Sequence, residues 1–198
     1  MSAVAIIDSG GANIASLVHA LRRLGCEASL TRDPAVVRAA SRVILPGVGA
    51  AADAMARLRV HGLAEVVPGL TQPVLGICLG MQLLFESSEE GAAACLGILP
   101  GAARRFEPAP GRPVPHMGWN QLGVRRDTLL LRGIESGDYT YFVHSFALPV
   151  GPDTTATCDY GGEFSAAISR DNFHGTQFHP ERSGRTGARI LQNFLEAS

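Results

Sequence analysis

Apolar and polar positions give this chain two textures, with the change near residue 95. Before it, short apolar runs alternate with segments whose apolar residues recur every three or four positions. "VAIID" is an apolar run that ends at Asp8 and reads as a strand. From Asn13 onward Ile14, Leu17, Val18, Leu21 and Leu24 fall at helical spacing, and Arg22, Arg23 and Gly25 suit a helix end. "EASLT" reads as a second strand, and Asp33-Pro34 opens a short helix. "RVIL" is a third strand, after which "PGVGAAADAMARL" turns into another helix. "PVLGI" is a fourth strand, and "LGMQLLFE" beyond Cys78 predicts a helix. Such alternation implies a parallel sheet covered by helices on both faces.

After residue 95 the segments become short, alternating or β-branched, and Gly and Pro separate them. "GAARRFEP", "VPHMGWNQLGV", "YTYFVHSFAL", "TTATCDY" and "FSAAISRDN" predict antiparallel strands and hairpins. "GTQFH" is a further strand candidate. A closing helix runs from about Ser183 to Glu196, with Ala188, Leu191 and Leu195 on one face.

Composition narrows the class. The 198 residues suit one domain over 1–198 with a sizeable core, and no long linker interrupts them. A net charge of −1 gives no broad attraction to nucleic acid or to an anionic membrane. There is no long apolar run and no basic start to "MSAVAIIDSG", so an untargeted cytoplasmic protein is expected. The four cysteines lie far apart without a C-x-x-C pair, which argues against a zinc site or a disulfide framework.

The candidate chemistry begins at "VLGICLG". A cysteine between Gly76 and Gly80, directly after a buried strand and before a helix, sits on a turn that only small neighbours allow. The same geometry exposes serine in G-x-S-x-G hydrolases. A buried structural thiol is the plain alternative. A nucleophilic cysteine needs a base and a group to orient it. Among six histidines, His179 stands out in "QFHPE". Pro180 biases it toward extended backbone, where residues two apart face the same way, so Glu181 is placed to bond its imidazole. By itself this is equally a loop histidine beside a solvated glutamate. A third stretch, "LPGVGAA", puts a Pro-Gly-x-Gly turn after a strand. It reads either as an ordinary turn or as a source of free N–H groups for an oxyanion.

Taken together, strand–G-I-C-L-G–helix and strand–H-P-E resemble the class I (triad) glutamine amidotransferases over essentially the whole chain. The resemblance implies a three-layer, flavodoxin-like α/β fold with additional antiparallel strands in the second half. It implies that Cys78, His179 and Glu181 form the triad, and that Gly47, Val48 and Gly49 with the N–H of Leu79 form the oxyanion site. Gln82, Glu90 and the stretch His144, Ser145 and Phe146 would hold glutamine. No metal or organic cofactor is implied. Glu90 has a second reading as part of the solvated acidic run "ESSEE".

Within that family, "PGVGA", "PHMGWN" and "YFVHS" resemble the glutaminase subunits of imidazole glycerol phosphate synthases. The implied partner is a (β/α)₈ cyclase subunit in a heterodimer for histidine biosynthesis, with Asn13, His116, Trp119 and Arg182 toward the interface. The "GGES" turn of pyridoxal phosphate synthase glutaminases is absent. Three departures affect detail: Ala51 stands where relatives often carry an aromatic residue, Phe146 replaces a frequent tyrosine and loses its hydroxyl, and Arg182 stands where Lys is common. Two other functions remain to be discriminated. One is a glutaminase subunit feeding another ammonia-using synthase. The other is a silent scaffold that binds a partner, against which the intact Cys-His-Glu set argues.

Overall fold

The computed structural model describes residues 4–10 and 14–197. In chain order the first half holds β1 (Val4–Ile7), α1 (Ile14–Arg23), β2 (Ala28–Thr31), α2 (Pro34–Ala39), β3 (Arg42–Gly47), α3 (Ala51–Val60), α4 (Leu63–Val66), β4 (Val74–Cys78) and α5 (Leu79–Leu83). The second half adds β5 (Phe85–Ser88), β6 (Ala93–Ala94), β7 (Leu99–Arg105), β8 (His116–Gln121), β9 (Gly123–Val124) and β10 (Tyr139–His144). It closes with β11 (Phe146–Ala147), β12 (Thr154–Asp159), β13 (Glu163–Arg170), β14 (Phe173–Thr176) and α6 (Gly184–Glu196).

The main sheet has eight strands in the order β2-β1-β3-β4-β14-β13-β12-β9. The first five are parallel and the remaining pairings antiparallel. Both faces are covered, as the alternation requires. Val4, Ile6, Ile44, Leu75 and Ile77 pack with Leu17 and Leu21 of α1 and with Ile190, Leu191 and Phe194 of α6. Ala5, Ile7, Val43, Leu45 and Val74 pack on the opposite face with Val37 of α2, Met55 and Leu58 of α3 and Leu63 of α4. Neighbouring residues of one strand thus feed two cores, the period-2 rule for a doubly covered sheet.

Local chemistry sets the boundaries. Asp33 caps α2 by accepting a hydrogen bond from the Ala35 N–H, with Pro34 at the first helical position. The helix expected over "LGMQLLFE" ends at Leu83, because Phe85–Ser88 turns outward and pairs with β6 and β7. A four-stranded sheet, β11-β7-β5-β6, results. β8 and β10 form a separate antiparallel ribbon in which His144 lies opposite His116. Among the described residues no helix is long and apolar enough to cross a membrane.

Candidate active site

The last residue of β4, Cys78, has φ 55° and ψ −112°, a strained conformation for a residue with a β-carbon. The two flanking glycines explain how the chain tolerates it. A β-carbon on Gly76 would lie 2.7 Å from the Gly80 carbonyl oxygen, and one on Gly80 only 1.8 Å from the Leu45 carbonyl oxygen. β4, α5 and β3 therefore approach more closely than any side chain permits. The thiol emerges at the C-terminal edge of the parallel strands, where open α/β sheets place their ligand crevices.

His179 follows β14, the strand beside β4, with φ −94° and ψ 99°. Its Nδ1 lies 2.8 Å from Glu181 Oε1. The contact expected from an extended H-P-E is present, but the route differs: Pro180–Arg182 is a 3₁₀ turn, and it brings the carboxylate back under the ring. The other side of the imidazole hydrogen-bonds the Cys78 side chain. Burial alone would lower the His179 pKa. The hydrogen bonds to Cys78 and Glu181 and the negative charge of both outweigh burial and raise it from 6.5 to about 10.

A cleft of about 330 Å³ joins Gly47, Val48, Gly49, Cys78, Leu79, Gln82, Glu90, His144, Ser145, Phe146 and His179, with Pro115 and Val143. It gathers every candidate glutamine and oxyanion position together with the thiol and the imidazole. Gly47 lies opposite Cys78 in the β3–β4 register, and Gly49 has φ 94°. Glu90 lines the cleft, yet its Oε2 also accepts a hydrogen bond from the Ala51 N–H at 3.0 Å, capping α3 just beyond the glycine turn. Its pKa is raised by burial, lowered in part by that hydrogen bond and raised further by Asp53. A second, smaller pocket of about 20 Å³ touches His179 and Glu181 and is lined also by Gly10, Ile14, Leu17, Pro46, Gly47, Val48 and Ile77. That volume admits roughly one water-sized molecule.

The backbone of β10 holds the site from the other side. The His179 N–H donates to the Tyr141 carbonyl at 2.9 Å, and the Cys78 thiol lies 3.8 Å from the Val143 carbonyl. Ser183 Oγ donates to the His179 carbonyl and accepts from the Tyr141 N–H.

His116, for which the sequence allows a buried structural place as well as an interface one, is buried, stacked between Phe142 and Tyr160. Its Nδ1 lies 3.2 Å from His144 Nε2. The direction of this pair follows from a carbonyl that can only accept. The Phe146 oxygen takes His144 Nδ1–H at 2.8 Å, so neutral His144 accepts at Nε2 from His116. His116 in turn accepts from the Asn120 amide at 3.3 Å. Burial keeps both rings neutral, with His116 lowered to about 4 and His144 to about 3. Asn13 lies outside the described residues. Trp119 is exposed, 6.0 Å from the ring of Tyr141 and near Gly184, and Arg182 is exposed on the same side of the molecule.

The sequence reading missed Gln177. It is completely buried, its Oε1 accepts from Gln82 Nε2 at 2.9 Å, and its Nε2 lies 3.7 Å from Cys78 Sγ. The period of two that singled out His179 and Glu181 also places Gln177 on the same side of the chain as His179.

The class I glutamine amidotransferase family model matches residues 5–197. A HisH subunit of imidazole glycerol phosphate synthase from Xanthomonas axonopodis pv. citri is 58% identical over 100% of this chain and 99% of its own length. One from Xylella fastidiosa is 55% identical over 99% of this chain and 98% of its own. Among solved structures, PurLQS from Thermotoga maritima superposes with a TM-score of 0.74 at 21% identity, over 98% of this chain and 97% of that one. The glutaminase domain of Trypanosoma brucei CTPS gives 0.62 at 12% identity, over 100% and 95%. These two structures establish the fold, and the near relatives narrow the family. The chain belongs to the class I glutamine amidotransferases and, within them, to the HisH subunits of imidazole glycerol phosphate synthase.

Proposed function

We propose that this chain hydrolyses L-glutamine to glutamate and ammonia, and that it passes the ammonia to a partner subunit. The observation that carries the reading is the contact of the His179 ring with both Cys78 and Glu181, with Cys78 and His179 lining the 330 Å³ cleft and the thiol on a strained elbow. In this reading the Cys78 thiolate attacks the side-chain carboxamide, whose oxygen becomes an oxyanion between the Leu79 N–H and the Gly47–Gly49 turn. His179 gives its proton to the departing ammonia, leaving a γ-glutamyl thioester. A water that loses its proton to His179 then attacks, and collapse of the second tetrahedral intermediate frees glutamate and regenerates the thiolate. Glu181 holds the imidazole by Nδ1 and stabilises its charge. Gln82, Glu90 and the backbone at His144–Phe146 hold the amino-acid end of the substrate. All of these act within one domain spanning 1–198. Strands β4 and β14, which come from different halves of the chain, lie side by side in the sheet and support that view.

Free ammonia is protonated in water near neutral pH and then ceases to be a nucleophile. A synthase that uses it therefore gains from a dry route between sites. The small, mostly apolar pocket that shares Gly47, Val48 and His179 with the glutamine cleft supports such a route. The partner in this reading is a (β/α)₈ cyclase that makes imidazole glycerol phosphate and AICAR, docked over Trp119 and Arg182. The test is Cys78→Ala. Glutamine hydrolysis should fall by at least ~10³-fold, the loss of a covalent nucleophile, while the folded state and ammonia-dependent synthesis by the complex persist. Substantial residual turnover of glutamine by this variant would reject the triad.

A further inference from the structure

The Gln177 side chain sits between the nucleophile and a wall of the substrate cleft, and its orientation can be deduced. The Phe146 carbonyl has no proton, so the Gln82 group 2.8 Å from it is the amide nitrogen. The same Gln82 nitrogen lies 2.9 Å from Gln177, which must therefore present its oxygen there. That leaves the Gln177 Nε2–H₂ facing Cys78 Sγ at 3.7 Å. The Gln177 main-chain N–H is held by the Ala166 carbonyl at 2.8 Å, and the whole residue is excluded from solvent. Rotating its amide by 180° would set nitrogen against nitrogen at Gln82, so a buried relay of fixed polarity ends on the sulfur.

Resting on the triad reading above, we propose that Gln177 is a hydrogen-bond donor to the Cys78 sulfur that favours thiolate over thiol before attack and again when the thioester is cleaved. A donor to sulfur stabilises the anion relative to the neutral thiol and to the thioester. It also lowers intrinsic nucleophilicity, but with a Brønsted slope of about 0.4–0.5 a roughly tenfold gain in thiolate costs only about threefold in reactivity. The net effect accelerates both acylation and release. Because Gln82 is the next member of the relay, the same bond fixes the cleft wall relative to the nucleophile.

The titratable groups of the cleft that share the site with the sulfur are His179, with Glu181 behind it, and His144 and Glu90. A Gln177→Met change removes the amide, keeps a similar volume and leaves all four in place. The readout is Cys78 alkylation by iodoacetamide against pH, followed by peptide mass spectrometry, with glutamine hydrolysis measured on the complex. The alkylation profile of Gln177→Met should move up by about one pH unit, and thioester formation should slow by about three- to fourfold. A variant profile that superimposes on the wild type overturns the proposal while leaving the triad intact. Wild-type protein that still hydrolyses glutamine after complete Cys78 alkylation overturns the triad and the proposal together. Should Gln177→Met not fold, the wild-type Gln177 side-chain amide resonance decides. It should titrate in step with the thiol and lose that titration in Cys78→Ala; an amide that never titrates refutes the donor role.

Discussion

At the scale of single residues, the site depends on a few groups with no freedom to be anything else. The His179 pKa is raised because its hydrogen bonds and charge interactions with Cys78 and Glu181 outweigh burial, and Glu181 is only one of those two neighbours. Glu181→Gln should therefore cost less than His179→Ala, since the imidazole would still be positioned by an acceptor oxygen and still face the thiol. Single-turnover thioester formation measures the two losses; equal or reversed losses would show that Glu181 has another task. The other cysteines should compete poorly for electrophiles. Burial raises the thiol pKa of Cys95 to about 11 and of Cys158 to about 12, and it raises that of Cys26 as well. Alkylation near neutral pH should fall on Cys78, which makes the Gln177 experiment readable.

At the scale of elements, the turn between β3 and α3 is anchored at both ends and loose in the middle. Gly47 is pressed against the elbow, where a β-carbon would lie 2.7 Å from the Gly80 nitrogen. Ala51 is held by Glu90. Between them Gly49 is exposed, has φ 94°, and would place a β-carbon in open space. The backbone dihedral, not crowding, is what demands glycine there. A peptide turning at Val48 can present its N–H to the cleft in one orientation and withdraw it in another, while the triad stays still. Proline at Gly49 would force φ to about −65°. Gly49→Pro should lower partner-stimulated turnover by roughly 10²–10³, the cost of one oxyanion donor, with a much smaller change in glutamine binding. Parallel losses in both quantities would mean that the turn merely shapes the cleft.

For the whole molecule, two consequences follow from how the ribbon of β8 and β10 is joined to the site. Its exposed side carries Trp119, while its backbone accepts from His179 and lies against Cys78. In the proposed complex a partner docked on this ribbon would act on the catalytic geometry, by no more than its differential affinity for the two states. The isolated chain should hydrolyse glutamine very slowly, and the cyclase with its own ligand should raise turnover by orders of magnitude. Steady-state assays with and without the cyclase decide it, and a free chain already at the stimulated rate would dismiss the switch. The second consequence concerns acid. His116 and His144 have pKa values lowered from 6.5 to about 4 and about 3, so the unfolded chain takes up their protons first as pH falls. Their contribution is present above pH 6.5 and is lost between there and about 4 for His116 and about 3 for His144, so denaturation midpoints should decline across that window. His179 adds no slope there, because its raised pKa keeps it protonated in the folded state, and the unfolded chain is protonated as well. A His116→Phe variant should show a shallower decline.

What the sequence by itself determined is whatever depends on neighbours along the chain. The apolar runs of β1, β3 and β4, the Asp33-Pro34 helix start and the Gly-x-Cys-x-Gly elbow are local, and the structure has each where the pattern puts it. The proximity of His179 and Glu181 was legible too, being set by two intervening bonds and a proline, although the 3₁₀ turn that accomplishes it was not. Tertiary structure decided the rest. Phe85–Ser88 became a strand because β6 and β7 offered backbone partners, which the apolar spacing of "LGMQLLFE" cannot reveal. His116 went inward because its alternate-face position on β8 meets His144 and Phe142 across the ribbon and Tyr160 from the turn after β12. Gln177 gained its place beside the thiol because β4 and β14 are adjacent in the sheet although far apart in the chain. Burial, charge neighbours and the direction of a hydrogen-bond relay are properties of packed surroundings, and no window of consecutive residues contains them.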